Sequence, residues 1–442
     1  MSGGLQEGQA GLRKNVGLLG VVTFGAGTAI GVSIFSILQP TAEIAGAGLL
    51  LAVGLAAVPM LLFAITYAYL GSALPVSGAS YEWPRRFIHP MAGFLIAWLR
   101  IVANVGALTI LGQVFTGYLG MVVPLPVKPT MALLITLVFF LNYLGVSLAA
   151  KVQSWLMGLL LLVLAIFVAT GLPHYDAAVA GNPFGEDSLT VLAAVPLMIS
   201  LFLGIEAAVE IGEEVRNPGR NIPLGIALAI LLSALVYALV AATALGLAGP
   251  DTLAASEAPL LDAAKISLGD VAVPLIVGAA CVSILKSMNA AALVFSRSLF
   301  AMGRNGALPH ALGVIHPRFG TPHRAILLGY VCAMSGLLLP PSLIFLLLAV
   351  NVPTMLKYMA CAWSATVVAR RHPEIHARSR VRISPPVVTA VGLVAMAAAL
   401  LIILFGLEAD ARPYLLVGGW LLLGIAYWVV RQKWLARAWD RT

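Results

Sequence analysis

The sequence predicts an all-α membrane protein of twelve transmembrane helices, two of them broken. Three observations carry this reading. Of 442 residues, 61% are hydrophobic and only 10% charged, where a soluble domain carries about 25% charge; mean hydropathy is +1.00. The apolar residues fall in long blocks near the roughly 20 residues that a membrane helix needs, and no block alternates as a barrel strand would. Two of the blocks, five apart in the chain, carry helix-weakening glycines, and one of these also carries an acid.

In chain order the blocks are 16–37, 46–72, 91–122, 129–148, 152–172, 190–212, 224–247, 271–303, 324–340, 342–369, 385–407 and 413–430, numbered below as spans one to twelve. Pro340-Pro341 parts spans nine and ten with almost no loop. The segments near 173–189 and 248–270 are expected to form short surface helices, and no loop is long enough for a separate soluble domain. Residues 1–15 and 431–442 are polar tails. Residues 1–15 carry Arg13 and Lys14 just before span one, so no cleavable leader is expected.

Cation placement gives the orientation. If the N-terminus is inside, the inner loops hold Arg85, Arg86, Lys151, Arg216, Arg220, Arg297, Arg304, Arg318, Arg324, Arg370, Arg371, Arg378, Arg380 and Arg382. The outer loops hold only Lys128, Lys265 and Arg412, and carry acids such as Asp176, Asp251 and Asp262. The positive-inside rule then predicts both termini in the cytoplasm of a multi-pass cell-membrane protein. The net charge of +8 is accounted for by these loops facing anionic membrane lipid, so no nucleic-acid partner is expected. Cys281, Cys332 and Cys361 lie in apolar blocks without ligand or disulfide spacing, and the histidines show no metal pattern. No metal and no cofactor is expected. A Gly-x-Ser-x-Gly elbow and a His-Glu-x-x-His motif are both absent, so the chain does not read as an enzyme.

Span one contains Gly25-Ala26-Gly27-Thr28-Ala29-Ile30-Gly31-Val32-Ser33-Ile34-Phe35, and span six contains Ser200-Leu201-Phe202-Leu203-Gly204-Ile205-Glu206. Each interior glycine costs about 1 kcal/mol against alanine. The two weak points are five spans apart, an odd offset, so their helices cross in opposite directions. A single Gly-x-x-x-Gly reads as close helix packing. Two interruptions at matching positions in inverted halves mark a midplane binding site. The predicted site is therefore Ile30–Ser33 with Ser200–Gly204, with Thr28 beside the first break and Phe202 lending apolar surface. Backbone N–H groups at the broken helix ends favour an anionic substrate group there. A charge at that depth costs at least about 2.5–3.5 kcal/mol, so Glu206 requires a polar partner, a wet cavity or a proton.

Four stretches together resemble the amino acid–polyamine–organocation permease superfamily. They are Gly27–Phe35; Leu74-Pro75-Val76-Ser77-Gly78-Ala79-Ser80-Tyr81 followed by Gly93-Phe94 and Trp98; Phe202–Glu206 leading to Glu213-Glu214-Val215-Arg216-Asn217-Pro218 and Ile222-Pro223; and Ser296-Arg297 through Met302-Gly303-Arg304-Asn305-Gly306-Ala307-Leu308-Pro309 to Gly320-Thr321-Pro322. The resemblance implies two inverted five-helix repeats, within 16–172 and 190–371, and two peripheral spans within 385–430. It also implies secondary transport of amino acids or related amines by alternating access, with a small-molecule substrate, protons as the coupling ion, and a monomer or homodimer. In the family the first break is usually Gly-Ser-Gly, whose N–H groups hold the substrate carboxylate. Here it reads Gly31-Val32-Ser33, which keeps the donors and adds bulk.

The resemblance also assigns expected roles. Glu206 matches the family's acid in span six, as a proton carrier or gate, or as a structural acid bonded to backbone freed by the break. Many transporters of this fold hold sodium between spans one and eight, and sodium-independent relatives can place a span-five lysine there. Leu159–Leu162 is wholly apolar in this chain, which leaves Lys286 of span eight, within Ser283–Asn289, to supply the cation. Ser283, Ser287 and Asn289 flank it, and the two serines suit a sodium site if Lys286 faces elsewhere. Asn104 approaches the substrate. Arg100 reads as snorkelling to the headgroups or as part of an inner gate, Lys357 equally as a partner for a carboxylate or as reaching toward the inner surface, and Glu210, Glu213 and Glu214 as a solvated helix end. The competing functional classes are an amino acid/polyamine exchanger, an inorganic-ion carrier and a non-transporting sensor.

Overall fold

A computed structural model describes residues 14–31, 33–184, 188–204, 206–339, 342–409 and 411–439. Among these residues the secondary structure is helical, apart from two isolated bridges, Val16 with Val215 and Ser77 with Ile211. Lipid offers no hydrogen bonds to backbone groups, so an apolar chain satisfies them within its own helices. Among the described residues, ten helical segments are long and apolar enough to cross a membrane.

Each predicted block falls on helix. Span one is Leu18–Ala29, continued after an interruption by Ser33–Ser36; a separate helix, Leu38–Ala45, leads to span two at Leu49–Ala73. Span three is Pro90–Gly120, opened by a proline in its first turn and by His89, whose side chain accepts from Met91 N. Spans four and five, Val127–Leu144 and Val146–Gly171, turn at Gly145. Span six is Ser188–Ile199 with a 3₁₀ turn at Ser200–Phe202, then Ala207–Glu210. Span seven, Pro218–Ala255, is longer than expected and breaks at Gly249. Span eight is Ala272–Arg304, span nine the shorter His323–Ser335, span ten Leu343–Arg371, and spans eleven and twelve Pro385–Ala409 and Arg412–Trp439. The surface helices expected between spans lie at Ala177–Ala180 and Pro259–Leu268.

Span one packs on spans five, seven and eight, and span three on spans eight and ten. The interruption in span one sits where Ile30 leaves helical geometry, with ψ +70°. That in span six sits where Gly204 takes φ +101°. The two interruptions touch: a Cβ at Gly204 would lie 2.3 Å from Thr28 Cγ2. Only glycine combines that backbone conformation with so close an approach.

Candidate substrate cavity

A cavity of about 170 Å³ opens beside the two interruptions. The breaks contribute Thr28, Gly31, Ser33, Leu203 and Gly204, and the segment after the second break contributes Glu206, Ala207 and Glu210. Spans three and ten supply Arg100, Asn104, Asn351, Thr354 and Lys357, while Ala103, Ala107 and Ala291 leave space between them. Ser287 of span eight completes the polar lining.

Several predicted residues lie elsewhere. Ile30 is fully buried and offers its carbonyl to span eight rather than to the cavity. Phe202 packs edge-on against Tyr237, ring centroids 5.8 Å apart, and is not among the lining residues. Val32 and the side chain of Ser200 lie outside the described residues.

Glu206 is fully engaged. Its Oε1 pairs with Lys357 Nζ. Its Oε2 accepts from Tyr358 OH at 2.7 Å and from the Gly204 N–H at 3.0 Å. The carboxylate thus caps backbone freed by the break and neutralises a lysine delivered from span ten. Arg100 does not snorkel: it lines the cavity and donates to Thr354 Oγ1 at 3.0 Å and Asn104 Oδ1 at 3.4 Å.

Lys286 is fully buried, and its Nζ donates to Gly27 O and, at 2.6 Å, to Ile30 O. These carbonyls lie at the end of the first half-helix, where the unwinding removes their i+4 donors. Ser283 Oγ donates to the same Ile30 carbonyl at 3.3 Å. Among the described residues Lys286 makes no ion pair. Ser287 faces the cavity, while Asn289 turns away and donates to Gln153 Oε1 at 3.2 Å.

Two residues that the sequence reading missed hold the breaks in place. The Tyr237 hydroxyl of span seven lies 2.5 Å from Ala29 O and 2.8 Å from Leu201 O, tying both unwound segments together. Gln153 of span five packs against Gly27, where a Cβ would meet its Nε2 at 2.5 Å. A tyrosine in an apolar span is a usable signal, because its hydroxyl needs a partner when buried.

At the end of the bundle bearing Arg304, Glu213 and Glu214 are ion-paired and Glu210 is hydrogen-bonded, correcting the reading of the three as a solvated helix end. Arg297 and Glu214, both buried, pair at 3.0 Å. Arg304 grips Glu213 with two bonds of 2.9 and 3.0 Å. Glu210 accepts from the hydroxyl and the N–H of Ser80. Burial pushes the Glu213 carboxyl up, but Arg304 outweighs it and holds the group below its ordinary 4.5. The compensating arginines stand more than 80 residues away in the chain, so the local pattern of acids does not reveal them.

Paired helix breaks around a small, mostly apolar cavity that holds a few polar and charged groups, inside a bundle of apolar helices, define a membrane solute carrier. The amino acid permease family matches residues 16–426, and the chain belongs to that family, within the amino acid–polyamine–organocation superfamily. It is similar to an uncharacterized transporter of Mycobacterium tuberculosis, 32% identical over 325 residues and 73% of each chain. It also resembles a branched-chain amino acid permease of Bacillus subtilis, 26% identical over 97% of this chain and 95% of the relative. The human Asc-type amino acid transporter 1 is 26% identical over 85% of this chain and 75% of the relative.

Proposed function

We propose that the protein is a sodium-independent, proton-coupled transporter that moves amino acids across the cell membrane by alternating access, with both termini cytoplasmic. In this reading spans one to five and six to ten are the inverted repeats, and spans eleven and twelve are peripheral. The substrate backbone docks between the Gly31 and Gly204 interruptions, and Asn104 and Ser287 supply polar contacts. The ion-paired end of the bundle is the closed cytoplasmic gate.

One observation carries the sodium independence: the Lys286 ammonium sits on the Gly27 and Ile30 carbonyls. A cation is what exposed carbonyls at the end of a half-helix attract. Two cations about 4 Å apart repel by about 4 kcal/mol even at an effective dielectric of 20, so sodium and a charged Lys286 exclude one another. Proton coupling follows if Lys286 changes its protonation between the two faces of the cycle. The engagement of Glu206 by Lys357, Tyr358 and Gly204 favours a structural part for that acid and leaves the coupling role to Lys286.

The test is uptake of labelled amino acids into proteoliposomes, with sodium against choline and with or without an inward proton gradient. Wild-type uptake is expected to ignore sodium and to follow the proton gradient. Lys286→Met keeps most of the side-chain volume and is expected to lose the pH response. Sodium-stimulated wild-type uptake, or a wild-type pH profile in Lys286→Met, refutes the assignment.

A further inference from the structure

Resting on the reading of the cavity as an amino acid site, we propose that the substrate carries a second anionic group and that Arg100 with Asn104 is the subsite that receives it. The substrate class is then the acidic α-amino acids.

Four charged side chains face the cavity: Arg100, Lys357, Glu206 and Glu210. Lys357 is bound to Glu206. Glu210 has both oxygens engaged by Ser80. Arg100 makes no ion pair among the described residues. Its partners are two neutral oxygens, one of them at 3.4 Å, which leaves N–H groups of the guanidinium fork unused. The neighbouring Asn104 is 3% exposed, and its Nδ2 has no hydrogen-bond partner. Arg100 and Asn104 therefore hold unused donors at the cavity wall beside Glu210, whose own oxygens are taken by Ser80.

A ligand completes this set best with an acceptor-only group, and an ionised carboxylate is such a group. It fits the planar guanidinium with two parallel bonds. Ala103, Ala107 and Ala291 line the same cavity as Gly31, Gly204 and Arg100, and their small side chains occupy little of it. An α-amino acid held at the interruptions thus extends its side chain to the guanidinium. An aliphatic side chain leaves Arg100 and Asn104 Nδ2 unanswered. A cationic one meets Arg100 with Lys357 close behind, which disfavours the amine substrates that the sequence left open.

The experiment is competition in proteoliposomes among L-glutamate, L-aspartate, L-glutamine, L-leucine and L-lysine, with half-inhibition concentrations measured for wild type, Arg100→Gln and Arg100→Lys. Wild type is expected to prefer glutamate or aspartate over glutamine at least tenfold, and lysine is expected to compete least. Arg100→Gln is expected to cut the preference for acid over amide about tenfold or more, because a charge-assisted fork is replaced by a neutral contact. Arg100→Lys, which keeps the charge and loses the fork, falls between. Equal or stronger competition by leucine or lysine in wild type overturns the acidic subsite and leaves amino acid transport standing. Failure of all five amino acids to be transported or to compete overturns the cavity reading and the subsite with it.

Discussion

The buried pair between Glu206 and Lys357 can be taken apart by a double-mutant cycle. Lys357→Met removes the ammonium and keeps most of the side-chain length. Glu206 then retains the Gly204 N–H and Tyr358 OH bonds but loses its counter-charge while 6% exposed. Removing one partner of a buried pair costs about 3–5 kcal/mol. Glu206→Gln makes the opposite cut and leaves Lys357 in the cavity wall with Arg100 and without its acid. A single charge pair near 4 Å at an effective dielectric of 20 is worth about 4 kcal/mol, so both single variants are expected to lose stability by a few kcal/mol. The double variant has no stranded charge at this site and is expected to recover a coupling energy of about 2–3 kcal/mol. The assay is denaturant unfolding of purified protein in one detergent, with all four proteins measured side by side. Single-variant losses that add in the double variant to within about 0.5 kcal/mol refute a working ion pair.

Gly204→Ala is expected to abolish transport and lower stability by more than about 1–3 kcal/mol, because a Cβ at φ +101° would lie 2.3 Å from Thr28 Cγ2; wild-type uptake and melting in this variant refute the close approach of the two interruptions. The Glu213–Arg304 bridge is expected to give an acid limb to thermal stability. Its carboxyl is held below 4.5, so the bridge contributes fully above that value and is lost as pH falls through the depressed one. Melting of Glu213→Gln is expected to change less than wild type as pH falls from about 5 to 3, through the range below 4.5 where the bridge is lost, and parallel curves refute the contribution.

The positions of the interruptions were legible because their causes are local. Glycine clusters weaken a helix wherever they stand, and an acid in an apolar block announces a buried polar contact. The direction taken by each side chain was less legible, because it depends on helix type and on distant partners. An α-helix turns about 100° per residue, which puts Ser287 and Asn289 on opposite sides of Lys286. Grouping them as one cluster ignored that rotation: Ser287 reaches the cavity, whereas Asn289 joins Gln153. The 3₁₀ turn at Ser200–Phe202 advances about 120° per residue instead, and Phe202 lies against Tyr237 rather than the substrate space. Arg100 read as snorkelling or as part of an inner gate because its own span shows only a cation about a third of the way in. Its oxygen partners are Thr354, on a helix some 250 residues later, and Asn104, one turn away. The same distance hid the identity of Glu206's partner among the cations of the later spans. A lysine and an arginine in apolar helices each demand compensation, and the tertiary fold assigns the acid to Lys357. Arg100 is left with neutral oxygens at the cavity wall, and that unequal assignment is the basis of the acidic subsite proposed above.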